Sequence, residues 1–289
     1  MAERAAVLSS AASARPSGAL RAFLASPPAA IGAVLVMLLV LAALLAPVLA
    51  PYEPLRLAGR PLAPPGARHL MGTDNLGRDV FTTVLYGMRV SLAVGFLASA
   101  IALLVGVAAG SVAGYFGGAI DNAIMRVTEL FQVIPRIFLM IIAVALFGAH
   151  VEVTAIAIGM TSWPAAARIL RAEFLSRRES DYVLAARVIG ASDAHIIFRE
   201  ILPNAIAPMI EIATLNVAAA VLLEAALAFL GLSDPNVASL GRMLQESIQF
   251  LRFAWWMSVF PGLIVTCLAV AMNLVGEGIG GVLDPGRRR

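Results

Sequence analysis

Few residues of this chain could do chemistry, and most of them stand alone. Glu224 lies deep in the apolar run 205–230, and Glu129 and Arg136 lie in another, 124–147. A charged group in such surroundings is costly and is functional by default. Glu224 could line a pathway, hold an amine or hydrogen-bond a neighbouring helix. Glu129 and Arg136 are seven residues apart, hence on one helix face; they fit a structural ion pair or a contact with a polar solute. Asp74 and Asp79 suggest a cation site, but Asp74 serves better as the N-cap of a surface helix carrying Leu76, Val80, Phe81, Val84 and Leu85 on one face. His69, His150 and His195 fall in three different segments, without metal-ligand spacing. Cys267 is the only cysteine, so no internal disulfide forms. All 21 basic residues are arginine. Without lysine the chain has neither a P-loop nor a Schiff base. No catalytic residue, metal site or cofactor is expected in this chain.

The elements that must position these groups follow from composition. Of 289 residues, 60% are hydrophobic and 13% charged, whereas a soluble domain carries about 25% charged residues. The lipid bilayer is therefore the natural solvent, and there is no nucleic-acid footprint. A spanning helix needs about 20 apolar residues. Six runs qualify: 29–50, 90–116, 124–147, 151–170, 205–230 and 254–275, the fourth being the weakest. The fold class is an all-α membrane protein. The first run follows Arg4, Arg15 and Arg21 as a signal peptide would, but it exceeds the usual h-region and ends at Pro51; it is expected to stay as an anchor. Pro135 is expected to kink the third span. Asn216 and Asn273 are candidate inter-helix hydrogen-bond groups.

Arginine bias orients the chain. With the N-terminus inside, Arg126, Arg168, Arg171, Arg177, Arg178, Arg187, Arg199 and Arg287–Arg289 join the three N-terminal arginines on the cytoplasmic side. Both termini are then cytoplasmic, as tails 1–28 and 277–289. Residues 51–86 form an external segment with the amphipathic helix, before a transport core over 87–276. A second external segment, 231–253, places Leu240, Met243, Leu244 and Ile248 at helical spacing, an interfacial helix. Trp255-Trp256 then opens the last span, where an aromatic belt belongs. Gly114-Tyr115-Phe116-Gly117-Gly118 makes a tight inner turn.

The segment 181–204, DYVLAARVIGASDAHIIFREILPN, is polar yet helix-competent and lies between apolar runs. A short helix over 182–189 is expected, then a turn at Gly190. Ser192 or Asp193 caps a second helix starting near Ala194, and Pro203 suits the first turn of the next span. Small Ala185 and Ala186 would let another protein approach closely.

These residues resemble the EAA loop of the second permease subunit of dipeptide, oligopeptide and nickel ABC importers. The resemblance extends to Gly72-Thr73-Asp74-Asn75-Leu76-Gly77-Arg78-Asp79, to Gly87-Met88-Arg89-Val90-Ser91-Leu92, and to the Gly114–Gly118 turn. Glu224-Ala225-Ala226-Leu227-Ala228-Phe229-Leu230-Gly231-Leu232, Asn273-Leu274-Val275-Gly276-Glu277-Gly278 and Leu283-Asp284-Pro285 also fit. Two positions depart: Leu184 replaces the usual glutamate before the alanines, and Glu200 the frequent histidine before Ile-Leu-Pro. The resemblance implies a type I ABC importer permease fold in the bacterial inner membrane. It implies an ATP-driven, binding-protein-dependent importer of peptides or a related small solute. Its partners would be a second homologous permease, two cytoplasmic ATPases that hold ATP and Mg, and an external binding protein. Tyr182, Leu184, Ala185, Ala186, Arg187, Gly190, Ala191 and Ser192 would couple to the ATPase. Glu224, Glu129, Pro135, Arg136, Asn216 and Asn273 are the pathway or gating candidates. A proton-driven carrier relaying through Glu224 and Glu129, and a membrane enzyme or assembly factor, are the alternatives; neither explains residues 181–204.

Overall fold

The computed structural model describes residues 23–283, all-helical apart from isolated bridges. Arg4, Arg15 and Arg21, the Asp284-Pro285 motif and Arg287–Arg289 lie outside the described residues. In chain order the helices are α1 (Pro27–Leu44), α2 (Ala46–Leu49), α3 (Val80–Phe116), α4 (Gly118–Val133), α5 (Arg136–Phe147) and α6 (Val151–Arg177). Then come α7 (Asp181–Val188), α8 (Asp193–His195), a wide π-helical turn (Ile196–Ile201), α9 (Leu202–Ala205), α10 (Ala207–Phe229), α11 (Leu240–Ser247) and α12 (Trp256–Leu283). Five helices are long and apolar enough to cross a membrane, or six if the bent pair α4–α5 is one span.

α3 is the axis of the bundle, and it packs against α6 through missing side chains. Gly106, Gly110 and Gly114 recur every four residues on one face. A Cβ on each would lie 2.6 Å from Ala166 Cβ, 2.5 Å from the Ala167 carbonyl oxygen and 2.5 Å from Phe174 Cβ respectively. Small residues at this spacing let backbones approach where no hydrophobic force drives helices together in lipid. Gly159 of α6 meets Ala98 and Ile101 of α3 in the same way further along. This packing explains why the fourth span is the weakest by composition: α6 is the least apolar of the spanning helices and the most buried. Its interior face touches protein, not lipid. α1 lies against α12, where Gly32 meets Leu274.

The third span is broken rather than kinked. α4 and α5 meet at 86° across Ile134 and Pro135. Pro135 lacks the N–H that a continuous helix would use, and it biases Ile134 to extended backbone (ψ 126°).

Three other local expectations change. α3 starts at Val80, capped by Asp79, whose carboxylate accepts from the Thr82 N–H at 2.8 Å. Asp74 caps no helix; it accepts from the N–H groups of Leu76 (2.9 Å) and Arg78 (2.8 Å) and closes a turn. The apolar face at Val80, Val84 and Leu85 is therefore the first part of the long helix α3, buried in the bundle, and Leu76 stays exposed in the loop. The two tryptophans also separate. Trp255 is half exposed, as a belt residue would be, but Trp256 is buried and donates its Nε1–H to the Thr73 carbonyl at 3.0 Å. α11 forms where the periodicity predicts it, but Leu240 and Gly241 are buried, and Gly241 packs on Ala225 of α10. The helix is seated in the bundle end rather than laid on it.

Gly110→Leu is expected to lower stability by about 1–3 kcal/mol, the cost of overpacking a tight contact. Leu104→Ala, on the exposed side of the same helix, is expected to stay within about 0.5 kcal/mol. Thermal unfolding in detergent distinguishes the two; equal effects would mean that α3 and α6 do not approach through the glycines.

Candidate functional site

The end of the bundle that carries α7 is built around one short helix. An eight-residue helix is unstable alone, so its ends and one face must be held. At its C-terminus the Ala191 N–H donates to the Ala186 carbonyl and the Gly190 N–H to the Arg187 carbonyl, each at 3.0 Å. These bonds make a Schellman motif, which needs a left-handed residue, and Gly190 has φ +81°. No atom lies within 4 Å of a Cβ built there. The glycine is thus required by backbone conformation, not by space. Ser192 then caps α8, accepting from the His195 N–H at 3.3 Å. The helix, turn and helix read from the sequence are present, followed by the π-helical turn and α9, which has Pro203 in its first turn.

The inner face of α7 is fused to the bundle. Val183 and Ala186 are buried in one apolar cluster with Leu170, Phe174, Ile196, Ile197 and Ile201. Ala186 is small because it packs inward; only Ala185 of the pair is exposed, which corrects the expectation that both admit a partner. The outer face presents Tyr182, Leu184, Val188 and Ile189, the last two 87% and 84% exposed. Arg187 is also exposed, and Ala191 is half-buried.

A polar clasp ties this element to α3. The Tyr115 hydroxyl donates to Asp193 Oδ1 at 2.6 Å, and the Arg187 guanidinium lies 5.5 Å from the centre of the Tyr115 ring. On the neighbouring helices Arg171 forms a two-pronged ion pair with Asp121, and Arg168 donates to Gln132 at 2.8 Å. Sequence reasoning placed Tyr115 only in a turn. The missed signal is a phenol at the end of an apolar span, which needs a partner for its hydroxyl.

Beside the N-terminal half of α3, Glu224 is buried and accepts from Ser91 at 2.7 Å and Ser239 at 3.2 Å. It joins α10, α3 and the loop before α11. The structural reading is the one this geometry favours; the serines that complete it were not singled out from the sequence. The Glu129–Arg136 pair does not form. The break at Pro135 carries the two residues onto differently directed helices, and the exposed Glu129 pairs instead with Arg126 at 2.9 Å. Arg136 is exposed. Asn216 is partly buried, with an Nδ2 that has no hydrogen-bond partner, and Asn273 is exposed, so neither joins helices as expected. The histidines remain apart: His69 pairs with Asp79 (2.9 Å), His150 approaches Asp234 (3.7 Å) and His195 approaches Glu200 (3.5 Å). No group of three possible metal ligands occurs among the described residues.

Known proteins resemble this chain in sequence and in fold. The family described as binding-protein-dependent transport system inner membrane component matches residues 106–289, and the N-terminal TM domain of oligopeptide transport permease C matches residues 17–65. A protein of Brucella suis biovar 1 (strain 1330), provisionally named a peptide transport system permease protein, is 42% identical over 257 residues, covering 88% of this chain and 86% of its own length. The dipeptide transport system permease protein DppC of Alkalihalophilus pseudofirmus is 38% identical over 260 residues, covering 89% and 85%. The oligopeptide transport system permease protein OppC of Bacillus subtilis (strain 168) is 32% identical over 266 residues, covering 90% and 86%. Among solved structures, the inward-facing MetNI methionine ABC transporter gives a TM-score of 0.55 at 18% identity, covering 69% of this chain and 96% of that one, a likeness of fold. A bundle of membrane-crossing helices with a locked helix at one end is thus the form that this sequence takes, and the chain belongs to the family of binding-protein-dependent transport system inner membrane components.

Proposed function

We propose that this permease forms half of the translocation pathway of an ATP-driven importer for peptides or a closely related small solute. A second homologous permease completes the pathway. Two cytoplasmic subunits bind ATP and Mg and hydrolyse the nucleotide, and an external binding protein delivers the solute. Both termini and α7 lie on the cytoplasmic side, in keeping with the arginine bias. The peptide assignment rests on the names of the relatives.

The observation that carries this reading is α7 itself. Its inner face is continuous with the apolar core, its end is locked at Gly190, and its outer face offers Leu184, Val188 and Ile189 to another protein. Tyr182, Ala185, Arg187, Ala191 and Ser192 surround that face or hold its turn. A rigid body fused to the bundle and grasped by an ATPase can tilt the spans between two states, which is what a ligand-biased transition requires. The Tyr115–Asp193 clasp passes the movement into α3, and α3 meets Glu224 through Ser91 in its N-terminal half. Glu224 therefore holds or gates the outer end of the bundle without relaying protons.

The complex purified through a tag on this chain and reconstituted in vesicles is expected to hydrolyse ATP faster when loaded binding protein is added. Gly190→Asp forces a side chain into the left-handed region at about 1 kcal/mol or more and is expected to remove most of that stimulation while the complex still assembles. An unstimulated wild type, or a variant indistinguishable from it, would favour a proton-driven carrier.

Tyr115→Phe removes one hydrogen bond, worth about 1 kcal/mol. The expected result is unchanged basal hydrolysis with less solute imported per ATP; an unchanged ratio would deny the clasp its part in transmission.

Uptake is expected to survive a protonophore while ATP is supplied, and Glu224→Gln to keep most of it. Glu224→Ala strands the two buried serine hydroxyls and is expected to cost about 1–3 kcal/mol in unfolding. Loss of uptake in Glu224→Gln with normal stability would return the carboxylate to the pathway as a reacting group.

A further inference from the structure

α2 ends at Leu49 and α3 starts at Val80. Loops longer than about 12–15 residues without helix or strand are uncommon in compact domains, and are either disordered or functional. This one is pinned throughout. The Ala58 and Gly59 N–H groups donate to the Gly77 carbonyl (2.8 and 3.0 Å), and the Leu62 N–H to the Asp74 carbonyl (2.9 Å), so 57–63 folds back on 73–78 as an irregular ribbon. Thr73 is fully buried at its centre. The Thr73 hydroxyl donates to the Arg60 carbonyl (2.6 Å) and accepts from the Ala63 N–H (2.8 Å), while its carbonyl receives the Trp256 indole. Leu55 and Leu62 are held at φ +62° and +54°, left-handed backbone that a bulky side chain resists and that clusters at functional sites.

What the ribbon presents is apolar and positive. Leu57, Leu70 and Leu76 are 69%, 63% and 47% exposed. Arg60 and Arg68 are exposed, and no hydrogen bond or ion pair engages their side chains among the described residues. All five surround one junction. A Cβ built on Gly59 would lie 2.6 Å from His69 Nε2, and one on Gly77 would lie 2.4 Å from the Gly59 carbonyl oxygen. Each exposed residue is within two positions of Gly59, His69 or Gly77. The acids of the segment leave this charge uncancelled: Glu53 pairs with Arg56 (3.0 Å), Asp74 holds its turn, and Asp79 meets His69 and the start of α3. Irregular backbone does not lie in hydrocarbon, so these leucines face water or another protein. An apolar patch with arginines is the composition of a protein interface, and its charge selects an acidic partner.

We infer that this ribbon is a docking surface for the external binding protein, which meets Arg60 and Arg68 with an acidic patch. The inference rests on the importer reading above. The ribbon leads into the N-terminus of α3, and α7 is joined through Asp193 to Tyr115 near the C-terminus of that helix, so ribbon and α7 lie at opposite ends of the bundle. With α7 in the cytoplasm, the ribbon is external. It is also coupled to the spans: Asp79 caps α3, and Trp256 of α12 is bonded to Thr73, so a load on the ribbon reaches two spanning helices directly.

The test titrates loaded binding protein onto the complex in phosphatidylcholine vesicles and follows ATP hydrolysis. Arg60→Glu combined with Arg68→Glu is expected to raise the half-saturating concentration roughly tenfold or more, since like charges then face each other. Arg60→Lys with Arg68→Lys is expected to keep it within about threefold, because steering needs only the charge. Raising salt from about 50 to 300 mM is expected to weaken the wild type about fivefold or more and not to weaken the reversed variant. A reversed variant that saturates like the wild type at both salts would overturn the docking role, as would equal losses in the lysine and glutamate variants. An effect of reversal seen only when phosphatidylglycerol is added to the vesicles would assign the ribbon to lipid. Loss of the second permease on purification of the reversed variant would assign it to that subunit; either outcome overturns the inference. A wild type that binding protein never stimulates would instead remove the importer reading, and the ribbon's partner with it.

Discussion

α3 can run beside α6 at backbone contact because three successive turns of it carry no side chain. The polar joints at Tyr115 and Ser91 depend on that contact. It brings Tyr115, one residue past Gly114, to the level of α8, where Asp193 can accept its hydroxyl. It sets Ser91, far along the same helix, opposite Glu224. A helix of 37 residues spans about 55 Å, so one element joins the two ends of the bundle. Such a rod transmits a displacement only if its neighbours cannot slide independently. Interlocking glycines and Ala166, Ala167 and Phe174 supply that restraint.

The same contact explains an oddity of composition. A helix shielded by protein need not be greasy, and α6 keeps Thr154, Thr161, Ser162 and Trp163 in its buried surface. Thr161 and Ser162 satisfy their hydroxyls by donating back to carbonyls one turn earlier. Their polarity weakens the hydropathy signal of the span while costing the folded helix little. Low hydropathy in a span is therefore a sign of burial here, not of a doubtful helix.

Much of this was legible in the residues, because helix periodicity, capping and glycine turns act locally. The short helix at 181–188, its Gly190 lock and the Ser192 cap follow from neighbours within six residues. Part of what was not legible depends on partners distant in sequence, and part on which way a helix packs or where it breaks. Trp256 reads as an interfacial residue until the Thr73 carbonyl, 183 residues away, is placed over it. Ala186 reads as a gap for another protein until the packing of Val183 turns it inward. Glu129 and Arg136 read as a pair because a spacing of seven assumes an unbroken helix; Pro135 breaks that assumption, and Arg126, three residues away, takes the glutamate. Glu224 stands out by its apolar surroundings, but the two serines that reach it, 133 and 15 residues away, carry no local signal.

The exposed face of α7 also constrains how this chain exists. Val188 and Ile189 stand almost fully exposed on either side of the helix end, next to Leu184, and Phe198 is 64% exposed just beyond. Burying such side chains is worth about 1.5–3 kcal/mol each, so a partner that covers several of them gains binding energy comparable with the stability of a small domain. The turn at Gly190 cannot supply this, since its few hydrogen bonds are already made within the chain. The lock contributes shape and the apolar tip contributes affinity. On the importer reading proposed above, that division suits a contact that stays engaged while it moves: an apolar tip gives affinity, and a helix end held at Gly190 gives direction.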